Sequence, residues 1–332
     1  MRRIGDGSGL AVLFNGRARR VGAAVVHALS RALPKAMVLL SSDLDEARRH
    51  ARKLAAARPE VILSGGGDGA AVRLVNLLRE EGVSPLPPLG ILKLGTGNAW
   101  AGVTGAGRYG ALVAELPRLP SPLPTQPYDL VEVEGTLCHF AGVGWDARIL
   151  NDYQRHHAGR PGKGMLGYLA ALCRITIPEE WRALRREGQP RVRVESDDAV
   201  STPDAEGNLM PRIGGRLLYE GPISVGAVGT TNEWGFGFRA FPLARKASGR
   251  INVRLYDRKV MEALRNAVHL WRGRHPQPGM HDFFTRRVTM SFSRPMPFQI
   301  GGDPAGLRER VEFAHASQTL PVVDWHAARA GA

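Results

Sequence analysis

The sequence predicts an α/β plus β fold: an N-terminal parallel-sheet α/β domain, then a β-rich, sandwich-like domain. Three observations carry this. Strand-length apolar runs alternate with helix-period segments through the first part of the chain. A proline-rich connector, "LPRLPSPLPTQP", follows at 116–127. Beyond it the texture changes to short β-type runs separated by turns. The expected domains are 1–127 and 128–306, with 307–332 returning to the first.

Each element follows from local pattern. Leu10–Phe14 reads as a strand and Val21–Ala32 as a helix. Ala36–Leu40 is the next strand, Leu44–Ala57 the next helix, and Val61–Leu63 a short buried strand. Ala70 to Leu78 places Ala71, Leu74, Val75 and Leu78 on one helical face. Strand Leu89–Leu94 leads into a second glycine-rich turn and a helix. Such alternation implies a parallel sheet covered on both faces. Ligands of these sheets sit beyond the carboxyl ends of the strands. The loops "FNGRARR", "SGGGDGA" and "KLGTGNAWA" leave those ends and should converge. Past the connector, β runs are expected at 128–134, 136–144, 191–195, 216–220, 222–228, 250–256, 287–293 and 297–300. Helical stretches are expected near 164–175 and 258–271. Residues 196–212 read as a polar surface loop, and Arg310–Ala314 as a strand returning to the first domain.

Composition narrows the partners. The 332 residues carry 45 Lys and Arg against 31 Asp and Glu, a formal net charge of +14. That favours an anionic partner: nucleic acid, an acidic membrane surface or phosphorylated small molecules. The alternative source of part of this arginine-dominated charge is a GC-rich genome rather than a partner. No recognition helix, zinc finger or basic-aromatic motif supports nucleic acid. Cys138 and Cys173 lack metal-type spacing, read as core residues and exclude a disulfide framework, which fits a reducing compartment. No apolar run approaches the ~20 residues of a membrane span. The first apolar segment reads as a strand, not a signal peptide.

The two glycine turns carry the chemistry. Gly65, Gly66, Gly67, Asp68 and Gly69 stand between a strand and a helix. Glycine lets a ligand approach the backbone, and a helix N-terminus suits phosphate. A tight turn with no ligand explains the same residues. Gly95, Thr96, Gly97 and Asn98 repeat the arrangement with hydroxyl and amide side chains. Here the alternative is a helix cap from Thr96 or Asn98. Asp68 could serve Mg²⁺ carried by a nucleotide, or act as an N-cap. Neither turn is a Rossmann fingerprint or a Walker P-loop. In "YQRHHAGRPGKG", His156 and His157 read as part of a solvated basic loop rather than ligands. Arg155, Arg160 and Lys163 precede the apolar "MLGYLAALCRI", a pattern that rests on an anionic bilayer or else packs as a core helix. Trp100, Trp145 and Trp234 adjoin motif turns and line an acyl-chain cleft or pack an interface.

"GGGDG" at 65–69 and "LGTGNAWA" at 94–101 resemble the diacylglycerol kinase catalytic-domain family, which includes bacterial lipid kinases, sphingosine kinases and ceramide kinases. "VLFNGRARR" is similar to that family's first strand and loop, with Gly16 in place of proline. "FAGVGWDARI" at 140–149, "GTTNEWGFGFRAFPLARKASGRINVRL" and "FQIGGDPAG" at 298–306 resemble three further family segments, so the resemblance covers nearly the whole chain. It implies an NAD-kinase/diacylglycerol-kinase-like fold and an ATP- and Mg²⁺-dependent lipid kinase. ATP and a lipid alcohol (diacylglycerol, ceramide or sphingoid base) would meet between the domains. By the same resemblance the phosphates lie across Gly66–Gly69 and Gly95–Asn98, with Asn15, Ser41 and Gly65 beside them. Asp68 orients Mg²⁺ or the lipid hydroxyl, and Asp303 is the general base. A cytoplasmic protein peripheral to an anionic membrane is implied, and a homodimer stays open.

Departures from the pattern are part of the reading. The usual Thr-Leu-Asn-Glu after the first turn is Ala70-Ala71-Val72-Arg73, and Lys93 replaces a common proline. Ser248 stands where many bacterial members place an aspartate for a structural Mg²⁺. Asp-Gly-Glu has become Gly301-Gly302-Asp303. These changes keep open a catalytically impaired nucleotide- or lipid-binding protein on the same fold.

Overall fold

The computed structural model describes residues 2–95, 98–157, 170–234 and 237–331. The chain forms two units, Met1–Tyr128 with Gln318–Ala332, and Asp129–Ser317.

Among the described residues the first unit holds a six-stranded sheet. Its order is β2 (Met37–Ser41), β1 (Leu10–Asn15), β3 (Val61–Gly66), β4 (Leu89–Lys93), β18 (Leu320–Val323) and β5 (Thr125–Tyr128). All neighbours are parallel except β18 with β5. The crossovers are helices α1 (Ala23–Ala32), α2 (Leu44–Ala57) and α3 (Asp68–Glu80). The start of α2 follows from its sequence: Asp43 accepts from the Glu46 amide at 2.8 Å, and Glu46 reaches back to the Ser42 amide at 2.7 Å. Phe14, Leu29, Leu33, Leu54, Ile62, Leu63, Trp100 and Trp325 are fully buried and form the core. The connector is not a free linker. Leu116–Arg118 is a 3-10 turn, and Thr125–Tyr128 joins the sheet edge because β18 offers it an antiparallel partner.

The second unit is built on one antiparallel sheet with twelve strands among the described residues. Strands β6 (Val131–Val133), β7 (Thr136–Cys138), β8 (Phe140–Gly144), β9 (Arg191–Glu195), β10 (Ser201–Pro203) and β11 (Leu209–Pro211) come first. Strands β12 (Leu217–Pro222), β13 (Val225–Gly229), β14 (Ile251–Tyr256), β15 (Met280–Thr285), β16 (Arg287–Ile300) and β17 (Asp303–His315) follow. The main path runs β11-β10-β15-β14-β13-β8-β16-β17-β6-β7, and β9 joins β12 to β16.

Several expectations are corrected. Arg310–Ala314 does not return to the first unit: it lies in β17, paired with β16 and β6. The return spans Gln318–Ala332, not 307–332, because only β18 fits between β4 and β5. Residues 196–212 are not plain loop, since β10 and β11 form a hairpin there. The runs 287–293 and 297–300 are one strand with register shifts between Ser291 and Met296 and between Pro297 and Gln299. The expected helix over 258–271 breaks at Asn266 into Val260–Arg265 and Ala267–Trp271. In the 164–175 stretch, the described residues are helical from Ala170 and continue to Glu187. Arg160, Lys163 and the rest of 158–169 lie outside the described residues. Cys138 is buried as expected, but Cys173 is exposed. Among the described residues no helix is long and apolar enough to cross a membrane.

Candidate active site

The carboxyl ends of β1, β3 and β4 lie side by side because these strands are consecutive parallel neighbours. The loops "FNGRARR", "SGGGDGA" and "KLGTGNAWA" therefore leave one edge of the sheet. Asn15 and Ser41 end β1 and β2 and pair in register. Asn15 Oδ1 accepts from the Arg17 amide at 3.1 Å, an Asx turn. Ser41 is buried, and its hydroxyl donates to the Phe14 carbonyl at 3.2 Å.

The glycines do different jobs. A Cβ on Gly65 would sit 2.2 Å from the Phe14 ring, so Gly65 is a packing glycine. A Cβ on Gly66 would sit 2.6 Å from the Ala70 Cβ. Gly67 is the N-cap of α3. A Cβ on Gly95 would lie 2.2 Å from the Gly67 Cα and 2.4 Å from the Gly67 nitrogen. The two turns thus meet backbone against backbone. Asn98 braces the second turn from within: its Nδ2 donates to the Gly95 carbonyl at 2.6 Å, and the Gly95 amide donates to Asn98 Oδ1 at 3.2 Å. Thr96 and Gly97 lie outside the described residues.

Asp68 spans the pair of turns. The N-cap role goes to Gly67, and Asp68 is the first helical residue. Its buried carboxylate accepts from the Trp100 amide at 3.2 Å, in helix α4 (Ala99–Val103). Trp100 is a core residue packed against Tyr128, with ring centroids 5.9 Å apart. Gly69 differs from Gly65, Gly66 and Gly95. It is exposed, a Cβ there would meet nothing within 4 Å, and its φ is not positive. Neither packing nor backbone asks for glycine at this helical position, which costs about 1 kcal/mol relative to alanine. The open space lies over the first turn of a thirteen-residue helix, where amides lack intrahelical partners. This cradle fits phosphate oxygens. Among the described residues no group of three or more His, Cys, Asp or Glu forms a metal cage.

Basic side chains at this edge were not assigned from sequence. Arg17, Arg19 and Arg20 are exposed just after β1, and Lys93 is exposed at the end of β4. Arg17 Nε donates to the Ser42 carbonyl at 2.8 Å. The available signal was their spacing from the strand ends.

In the second unit, Asp303 opens β17 and is exposed. Ile300 and Asp303 pair across a two-residue turn in which Gly301 and Gly302 have φ of +60° and +89°. Left-handed conformation at both central positions is the type I′ hairpin, so glycine at 301 suits the turn. The Gly301 amide donates to the Phe140 carbonyl at 2.8 Å. The Gly302 amide donates to Gln299 Oε1, also at 2.8 Å. Gln299 Nε2 in turn donates to Asp146 Oδ2 at 3.4 Å. Burial pushes the Asp146 carboxyl up to about 6. Trp145 and Trp234 pack against the cluster of Phe140, Val225, Phe241 and Tyr256.

Residues 9–119 match the family model of the diacylglycerol kinase catalytic domain, the domain of a lipid kinase enzyme. A diacylglycerol kinase from Bacillus anthracis Sterne has a similar fold, with TM-score 0.63 and 14% identity over 96% of this chain and 97% of that one. An NAD kinase from Archaeoglobus fulgidus, solved in complex with ATP, aligns with TM-score 0.51 and 11% identity over 97% of this chain and 96% of that one. No curated protein matches the chain.

Proposed function

We propose that this chain, which carries a diacylglycerol kinase catalytic domain over residues 9–119, is an ATP-dependent kinase of a lipid alcohol. The observation that carries the reading is the cradle. Gly67 and Gly95 touch, and the neighbouring Gly69 faces open space for no reason internal to the protein. The amides of Gly66–Gly69 hold the nucleotide phosphates, with Gly95, Asn15, Ser41 and Asn98 at their margin, the Gly95 amide itself being taken by Asn98. Arg17 and Lys93 add positive charge. When bound, ATP supplies the γ-phosphoryl group and its Mg²⁺ neutralises charge; Asp68 orients that ion or the acceptor hydroxyl. Asp303 takes the proton from the attacking hydroxyl. Such chemistry is mostly positioning and charge stabilisation, so the missing hydroxyl at 70 is tolerable. Diacylglycerol, ceramide and a sphingoid base are the candidate acceptors. The net charge of +14 supports delivery at an anionic membrane surface.

Gly69→Ala tests the cradle. Alanine should raise Tm, since it fits the helix without a clash, yet weaken ATP about tenfold or more by filling the space a phosphate needs. Calorimetric titration showing unchanged ATP affinity would remove phosphate from this edge. Radiolabelled ATP with a panel of lipid alcohols then tests the reaction. ATP binding without label transfer to any lipid would favour the impaired binding protein.

A further inference from the structure

We propose that Asp146 and Gln299 are positioning residues that hold the Gly301-Gly302 turn, and through it Asp303, in one orientation. The proposal rests on the kinase reading for its purpose, since Asp303 is the base in that reading. Its geometry stands separately.

A two-residue hairpin closes on the pairing of its flanking residues, here Ile300 with Asp303. The second central amide has no partner within such a turn. In this chain it has one: the Gly302 amide donates to a buried side chain, Gln299 Oε1. Gln299 is 1% exposed and uses its other end to donate to Asp146, 5% exposed, across 153 positions of sequence. Room for this contact is built into β8. A Cβ on Gly142 would fall 2.7 Å from Asp146 Oδ2 and 3.1 Å from Gln299 Nε2. Gly142 also pairs with Gln299 in register. The first turn amide is tied to the Phe140 carbonyl of the same strand. Both tip amides are thus clamped, one by backbone and one by the couple.

Stability alone does not account for an aspartate here. Among the described residues Asp146 Oδ1 is buried without a well-formed hydrogen bond, and besides Gln299 only the adjoining backbone amides of Asp146 and Ala147 favour the charge of this carboxyl. A buried, incompletely satisfied carboxylate is costly, and a well-packed apolar pair of similar volume is often as stable or more so. What the polar couple adds is orientation. A supporting shell of this kind is what a reacting side chain requires, because a shift of about 1 Å can cost about 10²-fold in rate.

The test reverses the couple in the full chain. Gln299→Glu sets two carboxyl groups face to face and should release the turn. Asp146→Asn added to it restores a donor–acceptor pair with the direction swapped, while Glu at 299 still accepts from Gly302. In lipid phosphorylation, Gln299→Glu should lower kcat about 10²-fold with little change in KM for ATP. The double variant should regain about tenfold or more of that loss. A merely structural role would lower stability without this kcat-only loss and its rescue. Residue-resolved hydrogen exchange gives a readout independent of activity. The Gly302 amide should be protected in the unmutated protein, exposed in Gln299→Glu and protected again in the double variant. Rapid Gly302 exchange in the unmutated protein, or a double variant no better than the single in both readouts, overturns the proposal. The unmutated measurement decides even if the variants fail to fold. If the unmutated protein phosphorylates no lipid, the kinase reading falls, and the exchange data still judge the couple.

Discussion

Asp146 holds a proton more tightly in the folded chain than in the unfolded one. Its carboxyl moves from an ordinary value of 3.8 up to about 6 through burial. The stability tied to that proton is fully present below about pH 4 and is lost as pH rises through about 6. Asp146→Asn keeps the shape and the acceptor but removes the charge. It should therefore raise stability at pH 8 by on the order of 2–3 kcal/mol, with the gap closing near pH 4. Thermal unfolding at the two pH values checks the sign. His139 behaves oppositely: burial pushes its imidazole down to about 3, so its contribution is present above about 6.5 and lost on acidification. Asp303 tests chemistry rather than stability. Asp303→Asn should reduce lipid phosphorylation by at least about 10²-fold with ATP affinity unchanged, read by saturating-ATP kinetics and calorimetry. Equal rates would take Asp303 out of the mechanism.

At the scale of elements, the contact between the two glycine turns is the sharpest target. A methyl group at Gly95 collides with backbone atoms of Gly67, which cannot rotate away as a side chain would. Gly95→Ala should both lower Tm and reduce ATP affinity about tenfold or more, in contrast to Gly69→Ala, which should separate those two effects. Paired melting and titration curves distinguish them. The α/β plus β class was legible in sequence because it depends on local period: "LAVLF", "VIL" and "LGILK" alternate with amphipathic helices. The turns were legible because glycine clusters at strand ends are local too. Their convergence was legible from the parallel alternation, but the backbone contact of Gly67 with Gly95 was not, since it requires β3 and β4 to be direct neighbours. The Asp146–Gln299 couple was equally hidden, because no pattern within a window links residues so far apart. The fate of 310–314 misled for a related reason: an edge-of-chain strand shows that it will pair, not with which sheet.

At the scale of the whole molecule, charge is the property to test. With +14 overall, vesicle binding should require anionic lipid and weaken as salt rises, at about 1 kcal/mol per basic residue near the surface. Equal sedimentation with neutral vesicles in high salt would exclude electrostatic recruitment. The threading of the chain has a separate outcome. Tyr128 and Leu320 are direct partners in the β5–β18 pair, so Asp129–Ser317 occupies the place of a hairpin turn. Trp325 then anchors the final segment, with its indole against Gly90 and its amide donating to the Thr104 carbonyl at 2.9 Å. On the ribosome, the sheet begun at Leu10 must wait for everything from 129 to 317 to emerge before its missing strand exists. The inserted unit has all its strands first and can close while the outer one is still open. The same arrangement offers a simple surgery: joining Tyr128 to Leu320 through a short glycine-containing turn should yield the first unit as one continuous, foldable chain.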